Sequence, residues 1–263
     1  MSAPHLSRVS IYPVKSLDAV EMQEARLAGG AGIAHDREYR FVDAAGAVLN
    51  SKRLGERTIA IRSHYDPAFS ELTLRLGEET LSARLPRETA AVEQAVSRWL
   101  GQPVRLERDE LHGFPDDTDA SGPTVVSRAT LAEVGSWFGF DEDEARRRFR
   151  ANLEIDGVEP FWEDRLYGPA DAPARRFRVG DAWLQATNPC KRCAVPSRDS
   201  RTGAIREAKF AKLFAERRKR SLPAWAERSR FDHFYRLAVN TRVPESENGK
   251  TIHVGDEVRA TVE

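Results

Sequence analysis

Apolar and polar residues alternate in short runs through the first third of the chain, the period of strands that bury one face. Leu6 to Val14 alternates loosely and stops at Tyr12-Pro13-Val14-Lys15-Ser16, where proline breaks a ladder of backbone hydrogen bonds. Gly29-Gly30-Ala31-Gly32 forms a turn cluster. Tyr39-Arg40-Phe41-Val42-Asp43 leads through Ala44-Ala45-Gly46 into Ala47-Val48-Leu49, which predicts a hairpin with a glycine turn. Ile59-Ala60-Ile61 and Leu72 to Leu76 continue the strand pattern. The period then changes. Val92, Ala95, Val96, Trp99 and Leu100 are spaced for one helix face, and Gly101 stands where a C-terminal cap belongs.

A polar loop rich in turn residues, Phe114 to Pro123, divides the chain into an expected barrel-like domain over 1–110 and a second domain over 120–263. Beyond it, Ser127 is placed to cap a helix that carries Leu131, Val134 and Phe138. A second short helix, acidic at its start and basic at its end, runs from Asp141 to Arg148. Strands are expected at Asn152 to Ile155, Arg176 to Val179 and Ala182 to Ala186, and a helix from about Arg206 to Arg218 with Phe210, Leu213 and Phe214 on its apolar face. Lys250 to Val254 and Glu257 to Thr261, joined by Gly255-Asp256, read as a closing hairpin. The predicted class is α+β and β-rich, barrel-like with a few peripheral helices.

Composition narrows the function. The 263 residues include 41 basic and 41 acidic side chains, a balance that argues against a general nucleic-acid binder. No run of about eighteen apolar residues is available to span a membrane as a helix. Met1 to Ser10 lacks the charged start and apolar core of an export signal. With two cysteines only, these features predict a soluble protein of the reducing cytoplasm.

Both cysteines lie in Asn188-Pro189-Cys190-Lys191-Arg192-Cys193, beside two cations that favour the thiolate. Two thiols cannot complete a zinc site, and the histidines are scattered. A thioredoxin-type pair should open a helix, but Cys193 runs into Ala194-Val195-Pro196-Ser197. Two small buried thiols, or one metal–thiolate bond to a cofactor that brings its own ligands, both stay open.

Arg148-Phe149-Arg150-Ala151-Asn152 would put two arginines on one side of an extended segment, where their forks suit phosphate oxygens. The competing reading is a solvated charged face. Lys15-Ser16 and Ser51-Lys52-Arg53, at a strand end, are similar cationic spots, and Ser127 either caps its helix or directs a helix N-terminus at an anion. Glu163-Asp164 could do acid–base work or form a turn that bonds its own backbone. His35-Asp36-Arg37 reads as structural. Arg217-Arg218-Lys219-Arg220 offsets a helix macrodipole, or docks an acidic redox partner.

The order of these motifs resembles a known family. Ile11-Tyr12-Pro13-Val14-Lys15-Ser16, His35-Asp36-Arg37, Val42-Asp43 with Gly46, and Ser51-Lys52-Arg53 look like the N-terminal β-barrel domain that precedes MOSC domains. Val126-Ser127-Arg128-Ala129-Thr130-Leu131, Arg148 to Asn152, Pro160-Phe161-Trp162-Glu163-Asp164, Cys190-Lys191-Arg192-Cys193, Asp199 with Thr202-Gly203, and Val254-Gly255-Asp256 then follow in MOSC order. The resemblance implies two packed β-barrel-like domains and a molybdenum cofactor, molybdopterin with its metal on Cys193. Its binding residues would be those matching Lys15, Ser16, Arg53, Ser127, Arg150, Asn152, Lys191 and Arg192.

By that likeness to the mitochondrial amidoxime reducing components and their bacterial relatives, the expected activity is reduction of amidoximes, N-hydroxylated bases or hydroxylamines. Asp164, His233 or a metal-bound water would be the proton source. The chain lacks the four cysteines of an iron–sulfur cluster, so electrons are expected from a separate ferredoxin-like protein or b-type cytochrome with its reductase. No pyridoxal phosphate is implied. The alternatives are a carrier of the cofactor, or a sulfur-transfer protein using a Cys193 persulfide, and more remotely a cofactor-free docking module. The chain departs from the family pattern at Arg150-Ala151-Asn152, usually Arg-Pro-Asn, and at Phe231-Asp232-His233-Phe234, where Phe-Gly-x-Tyr is common. Tyr235 or His233 is left to replace any tyrosine contact.

Overall fold

A computed structural model describes residues 3–260. Its spine is an eight-stranded sheet whose strands are β1 (His5–Ile11), β2 (Val20–Met22), β3 (Val125–Ser127), β4 (Leu153–Asp156), β5 (Arg175–Val179), β6 (Ala182–Lys191), β7 (Arg236–Arg242) and β8 (Val258–Ala260). Their order across the sheet is β8-β5-β6-β7-β3-β4-β1-β2. Strands β1 and β2 come from the half of the chain before the Phe114–Pro123 loop, and the rest from the half after it. The two halves therefore share one ladder, with Val9 opposite Leu153 in the β1–β4 pair. Leu6, Val9, Leu153, Phe177, Leu184 and Val239 alternate inward from these strands and are almost wholly buried in one core.

The first half builds a second core of its own. Strands Arg62–Tyr65, Glu71–Leu76 and Glu79–Arg84 form an antiparallel meander, and helix α1 (Thr89–Leu100) lays Val92, Ala95, Val96 and Leu100 on it. Gly101 ends α1 in the left-handed region, φ 66°. Tyr39–Val42 pairs with Arg105–Arg108. In the second half, the parallel pair β3–β4 requires a crossover. Helices α2 (Arg128–Phe138) and α3 (Glu142–Phe149) supply it, and α4 (Phe210–Arg220) packs Phe210 and Phe214 against them. Ser127 caps α2, accepting from Thr130 N at 3.1 Å, and Asp141 caps α3, accepting from Glu144 N at 2.7 Å. Among the described residues no helix is long and apolar enough to cross a membrane.

The protein is α+β and strand-rich, as the alternation predicts. Several local expectations change. The expected hairpin at Gly46 is short, with Val48 bridging Val42 and Leu49 N donating to Phe41 O at 2.8 Å, while the other edge of Tyr39–Val42 pairs with Arg105–Arg108. Ser51–Leu54 and Glu56–Ile59 are short helices where strand ends were expected, the first capped by Asn50. Arg148 lies in α3 and Arg150 is its left-handed cap, φ 53°, so the two arginines do not sit on an extended face. Helix α4 starts at Phe210, not Arg206. Gly255-Asp256 does not close a hairpin: Thr251–His253 pairs with Glu24–Ala28, while β8 pairs with β5. A turn signal decides the bend but not the partner. Thr261, the expected end of the last strand, lies outside the described residues.

Glu163 and Asp164 form the expected turn that bonds its own backbone, Asp164 N donating to Phe161 O at 3.0 Å. They occupy a 3-10 turn, Trp162–Arg165, with both side chains buried. Asp164 forms an ion pair with Arg218, which is 1% exposed and so does not serve as a solvent-facing helix-end charge. Removing one member leaves an uncompensated buried charge, so Arg218→Ala should cost about 3–5 kcal/mol in urea unfolding, and Arg218→Met together with Asp164→Leu much less.

Glu163 accepts from Ser127 N and Thr130 Oγ1 through one oxygen, and its other oxygen has no partner among the described residues. Burial, and then Asp164 beside it, push its carboxyl up to about 7. A carboxyl raised on folding stabilises most while it is protonated in both states. That contribution is complete below the ordinary value near 4.5 and is lost as pH rises towards 7. Tyr167, Asp164 and Arg218 face the same pocket of charge. Between pH 5 and 8, wild type should lose roughly 2–3 kcal/mol relative to Glu163→Gln in urea unfolding. Parallel pH profiles would show that Glu163 does not titrate there.

Candidate functional site

Strand β6 carries the cysteines to the site. Its register against β7 shifts twice, between Ala186 and Asn188 and between Pro189 and Lys191. Such bulges bend a strand and re-aim its side chains, and Pro189 has no N–H to hold the ladder closed. The chain leaves the sheet at Lys191 and turns through Cys193. Two bonds from the residue just before β7 clip this turn: Arg192 N donates to Tyr235 O at 3.1 Å, and Tyr235 Oη donates to Cys193 O at 2.9 Å. The Tyr235 ring is itself wedged edge-on against Phe214, with centroids 5.2 Å apart. Arg192 Nη1 lies 3.2 Å from Cys190 Sγ, and its Nη2 donates to Phe149 O. Its Nε is buried without a partner among the described residues.

This turn forms one wall of a cleft of about 800 Å³ between the two halves of the chain. The opposite wall belongs to the first half. Lys15 Nζ donates to Phe114 O at 2.8 Å and pairs with Asp116 at 2.9 Å, and Lys52 reaches the same carboxylate at 3.3 Å. Burial lowers the Lys15 ammonium, with Asp116 opposing. Burial also works to raise Asp116, but Lys15 and Lys52 outweigh it and hold the carboxyl well below the usual range.

The floor comes from the end of α3. Arg150 stacks on the Tyr12 ring, 4.2 Å from its centroid, and donates to Leu17 O at 2.6 Å. Burial lowers it, since no carboxylate pairs with it among the described residues. Near the mouth Asp232 binds Arg236 at 2.6 Å and Lys191 at 3.1 Å, and these cations hold its carboxyl well below the usual range.

The cleft gathers Lys15, Ser16, Arg150, Asn152, Lys191, Arg192 and Cys193 of the residues singled out in the sequence, together with Cys190. Asn152 lines it with little freedom, because its amide donates to Ser10 O and Asp36 Oδ1 and accepts from Thr124. Arg53 does not line the cleft. Its short helix turns it towards Asp43, at 2.8 Å, and points Lys52 inward instead. Ser127 is fully buried as a cap, and the α2 N-terminus meets the carboxylate of Glu163 rather than a ligand. Asp164 is sealed in its ion pair with Arg218. His233 is half-exposed beside Asp232 and its Nδ1 accepts from Tyr235 N, off the cleft wall. Lys52 and Arg148, from two of the cationic motifs, line the cleft as well, and so do Arg37, Arg230 and Arg236, which sequence reasoning did not single out as ligand contacts. Lone arginines at strand or helix ends carry no local signal, and only the fold brings them together.

Nine lysine and arginine side chains face three aspartates in this lining, so the cleft is charged for an anion. Its volume suits a ligand of cofactor size. Among the described residues no three of His, Cys, Asp and Glu cluster to hold a metal. The donors on offer are soft sulfurs, so a metal here would have to arrive with most of its ligands. The unpartnered Nε of Arg192 and the uncompensated Arg150 fit such a large anionic group.

The MOSC N-terminal beta barrel domain matches residues 3–117 and the MOSC domain matches residues 118–259. A molybdenum cofactor sulfurase from Drosophila grimshawi is 30% identical over 234 residues, covering 76% of this chain and 29% of that protein. One from Danio rerio is 26% identical over 246 residues, covering 75% and 28%. The chain thus spans less than a third of the length of these relatives. Among solved structures, the YUAD protein from Bacillus subtilis aligns with a TM-score of 0.41 at 12% identity, over 98% of this chain and 97% of that one. With profile matches that run from residue 3 to residue 259, the chain belongs to the MOSC domain family, a MOSC domain preceded by its N-terminal beta barrel domain.

Proposed function

We propose that this protein is a molybdenum-cofactor-binding oxidoreductase that reduces N-hydroxylated compounds such as amidoximes, N-hydroxylated bases and hydroxylamines. The observation that carries the reading is the meeting of Cys193 with a large excess of cations in one cleft built from both halves of the chain. When bound, the molybdenum cofactor supplies the two-electron chemistry that removes the oxygen of an N–OH group.

The chain's own part is to hold and orient. Cys193 would be the single protein ligand to the metal, its backbone fixed by Tyr235. Arg192 holds the Cys190 sulfur, so the two thiols are chemically distinct. Lys15, Ser16, Lys52, Arg150 and Lys191 would meet the phosphate and pterin, with Asp116 giving up its cations as the ligand's charge replaces it. The reaction consumes two electrons and two protons and yields amine or amidine and water. Asp164 is too deeply sealed to deliver a proton, whereas His233 at the rim can exchange with solvent. Electrons would come from a separate ferredoxin-like protein or b-type cytochrome.

A second reading is favoured by what the relatives are called. A protein resembling molybdenum cofactor sulfurases could carry sulfur as a Cys193 persulfide, or carry the cofactor, for delivery elsewhere. The two readings separate in one experiment on protein made in a molybdate-fed host. Metal and pterin content, and benzamidoxime reduction with reduced viologen, are measured for wild type, Cys193→Ala and Cys190→Ala. Loss of the metal ligand should cut turnover by at least about 100-fold and remove the metal, while Cys190→Ala should stay within about tenfold, the range for a neighbouring supporting group. Full metal and pterin without reduction of any N-hydroxylated compound would favour the carrier. Folded protein without either, bearing a persulfide on Cys193 by mass spectrometry, would favour sulfur transfer.

A further inference from the structure

Helix α4 is charged on one side and aromatic on the other. Its outer side, with Lys209 just before it, presents Lys209, Lys212, Glu216, Lys219 and Arg220 at steps of three and four, the spacing of one helix stripe, and all are exposed. Among the described residues no hydrogen bond or ion pair holds the side chain of any of these cations, and Glu216 is the one carboxylate on the stripe. The helix macrodipole accounts for Lys219 and Arg220 at the C-terminal end. It does not account for Lys209 and Lys212 at the N-terminal end, where it repels cations. In a chain whose 41 basic and 41 acidic side chains balance, this is a local excess of unpaired positive charge.

The inner side of α4 points at the cysteine turn. Phe214 and Phe210 meet the Tyr235 ring with centroids 5.2 and 6.2 Å away, and the Tyr235 hydroxyl donates to Cys193 O. Phe138, stacked on Phe210 at 4.2 Å, and Trp137, edge-on to Phe214 at 5.5 Å, extend this row of rings to a place beside Arg217. A helix is about 10–12 Å across with its side chains, so the basic stripe and the Cys193 turn stand back to back across one helix and one ring. No residue of α4 lines the large cleft, so a protein seated on the stripe leaves the cleft open to substrate.

We propose that the outer face of α4 is the docking surface of the electron donor, an acidic one-electron carrier protein, and that electrons arrive at Cys193 from behind the cleft. This rests on the oxidoreductase reading above. Each docking delivers one electron and leaves the carrier oxidised by one unit. Two dockings supply the two electrons that, with two protons from solvent, remove one N–OH oxygen as water. A positive stripe meeting a negative partner speeds encounter and fixes its orientation. The row of rings favours a redox protein over a nucleic acid or an anionic membrane, which would have no use for a route to Cys193.

The probe is an acidic plant-type ferredoxin, added to the full chain made in a molybdate-fed host. Oxidised ferredoxin should bind wild type saturably in calorimetry, and more weakly as salt rises. Lys212→Glu with Lys219→Glu should weaken binding by at least about tenfold, chiefly through slower association. Arg75→Glu with Arg87→Glu, the same change of charge on exposed residues of the first half, should leave binding within about twofold, because salt screens distant surface charges. Reduced ferredoxin at limiting concentration should drive benzamidoxime reduction at least about tenfold more slowly in the α4 variant. Reduced viologen, too small to need the face, should drive both proteins equally. If viologen fails with wild type, the oxidoreductase reading falls and takes this surface with it. If viologen works and the α4 charge reversal changes neither ferredoxin binding nor ferredoxin-driven turnover, the surface alone is overturned. Binding to phosphatidylserine vesicles through the same residues, with ferredoxin left unbound, also overturns it.

Discussion

One carboxamide, that of Asn152, sits where the two halves of the chain meet. It donates to Ser10 O on β1 and to Asp36 Oδ1, and accepts from Thr124 just before β3, while its backbone O accepts from Ser10 N. Asn152 is 1% exposed, and a buried amide with all its partners present is rigid because any displacement strands polar groups without water. Arg150 lies two residues upstream and Leu153 opens β4, so this amide sets both the entry of β4 into the shared sheet and the place of the cation on the cleft floor.

Part of the site is built by withholding counter-charges. The half-buried Arg146 and the buried Arg218 are paired, with Glu154 and Asp164. In the cleft, Arg150 rests on an aromatic ring and a carbonyl, and Arg192 on a sulfur and a carbonyl. Neutral partners position a guanidinium without cancelling its charge, so the attraction is kept for a ligand. The same logic runs in reverse at α2, where Glu163 satisfies a helix N-terminus internally and removes it from the list of anion sites.

The elements most legible in the chain are those whose signals are local. Gly101 ends α1, Ser127 and Asp141 cap their helices, and alternation marks β5 and the start of β6. Local signals failed where the partner lies far away. Tyr39–Val42 pairs most of its length with the distant Arg105–Arg108, and Gly255-Asp256 sends its two arms to different sheets, because strand pairing is chosen by burial across the whole core. Of the site, the sulfurs and the cations adjoining them in short motifs could be read. For Asp164 and Ser127 the turn and the cap were legible, but not their depth, because type and spacing do not reveal burial.

The sequence by itself determined the strand-rich class, the helix caps, the cysteine turn flanked by cations and the membership implied by the order of motifs. Each depends on residues a few positions apart, where backbone preference and side-chain chemistry act directly. Only the tertiary structure decided which cations converge. A short helix turned Lys52 inward and Arg53 outward, and the fold brought Arg37, Arg148 and Arg236 to the same cleft from separate segments. It also decided which carboxylates neutralise their neighbours and which arginines stay uncompensated. Electrostatic balance is summed over space, so no stretch of chain contains it.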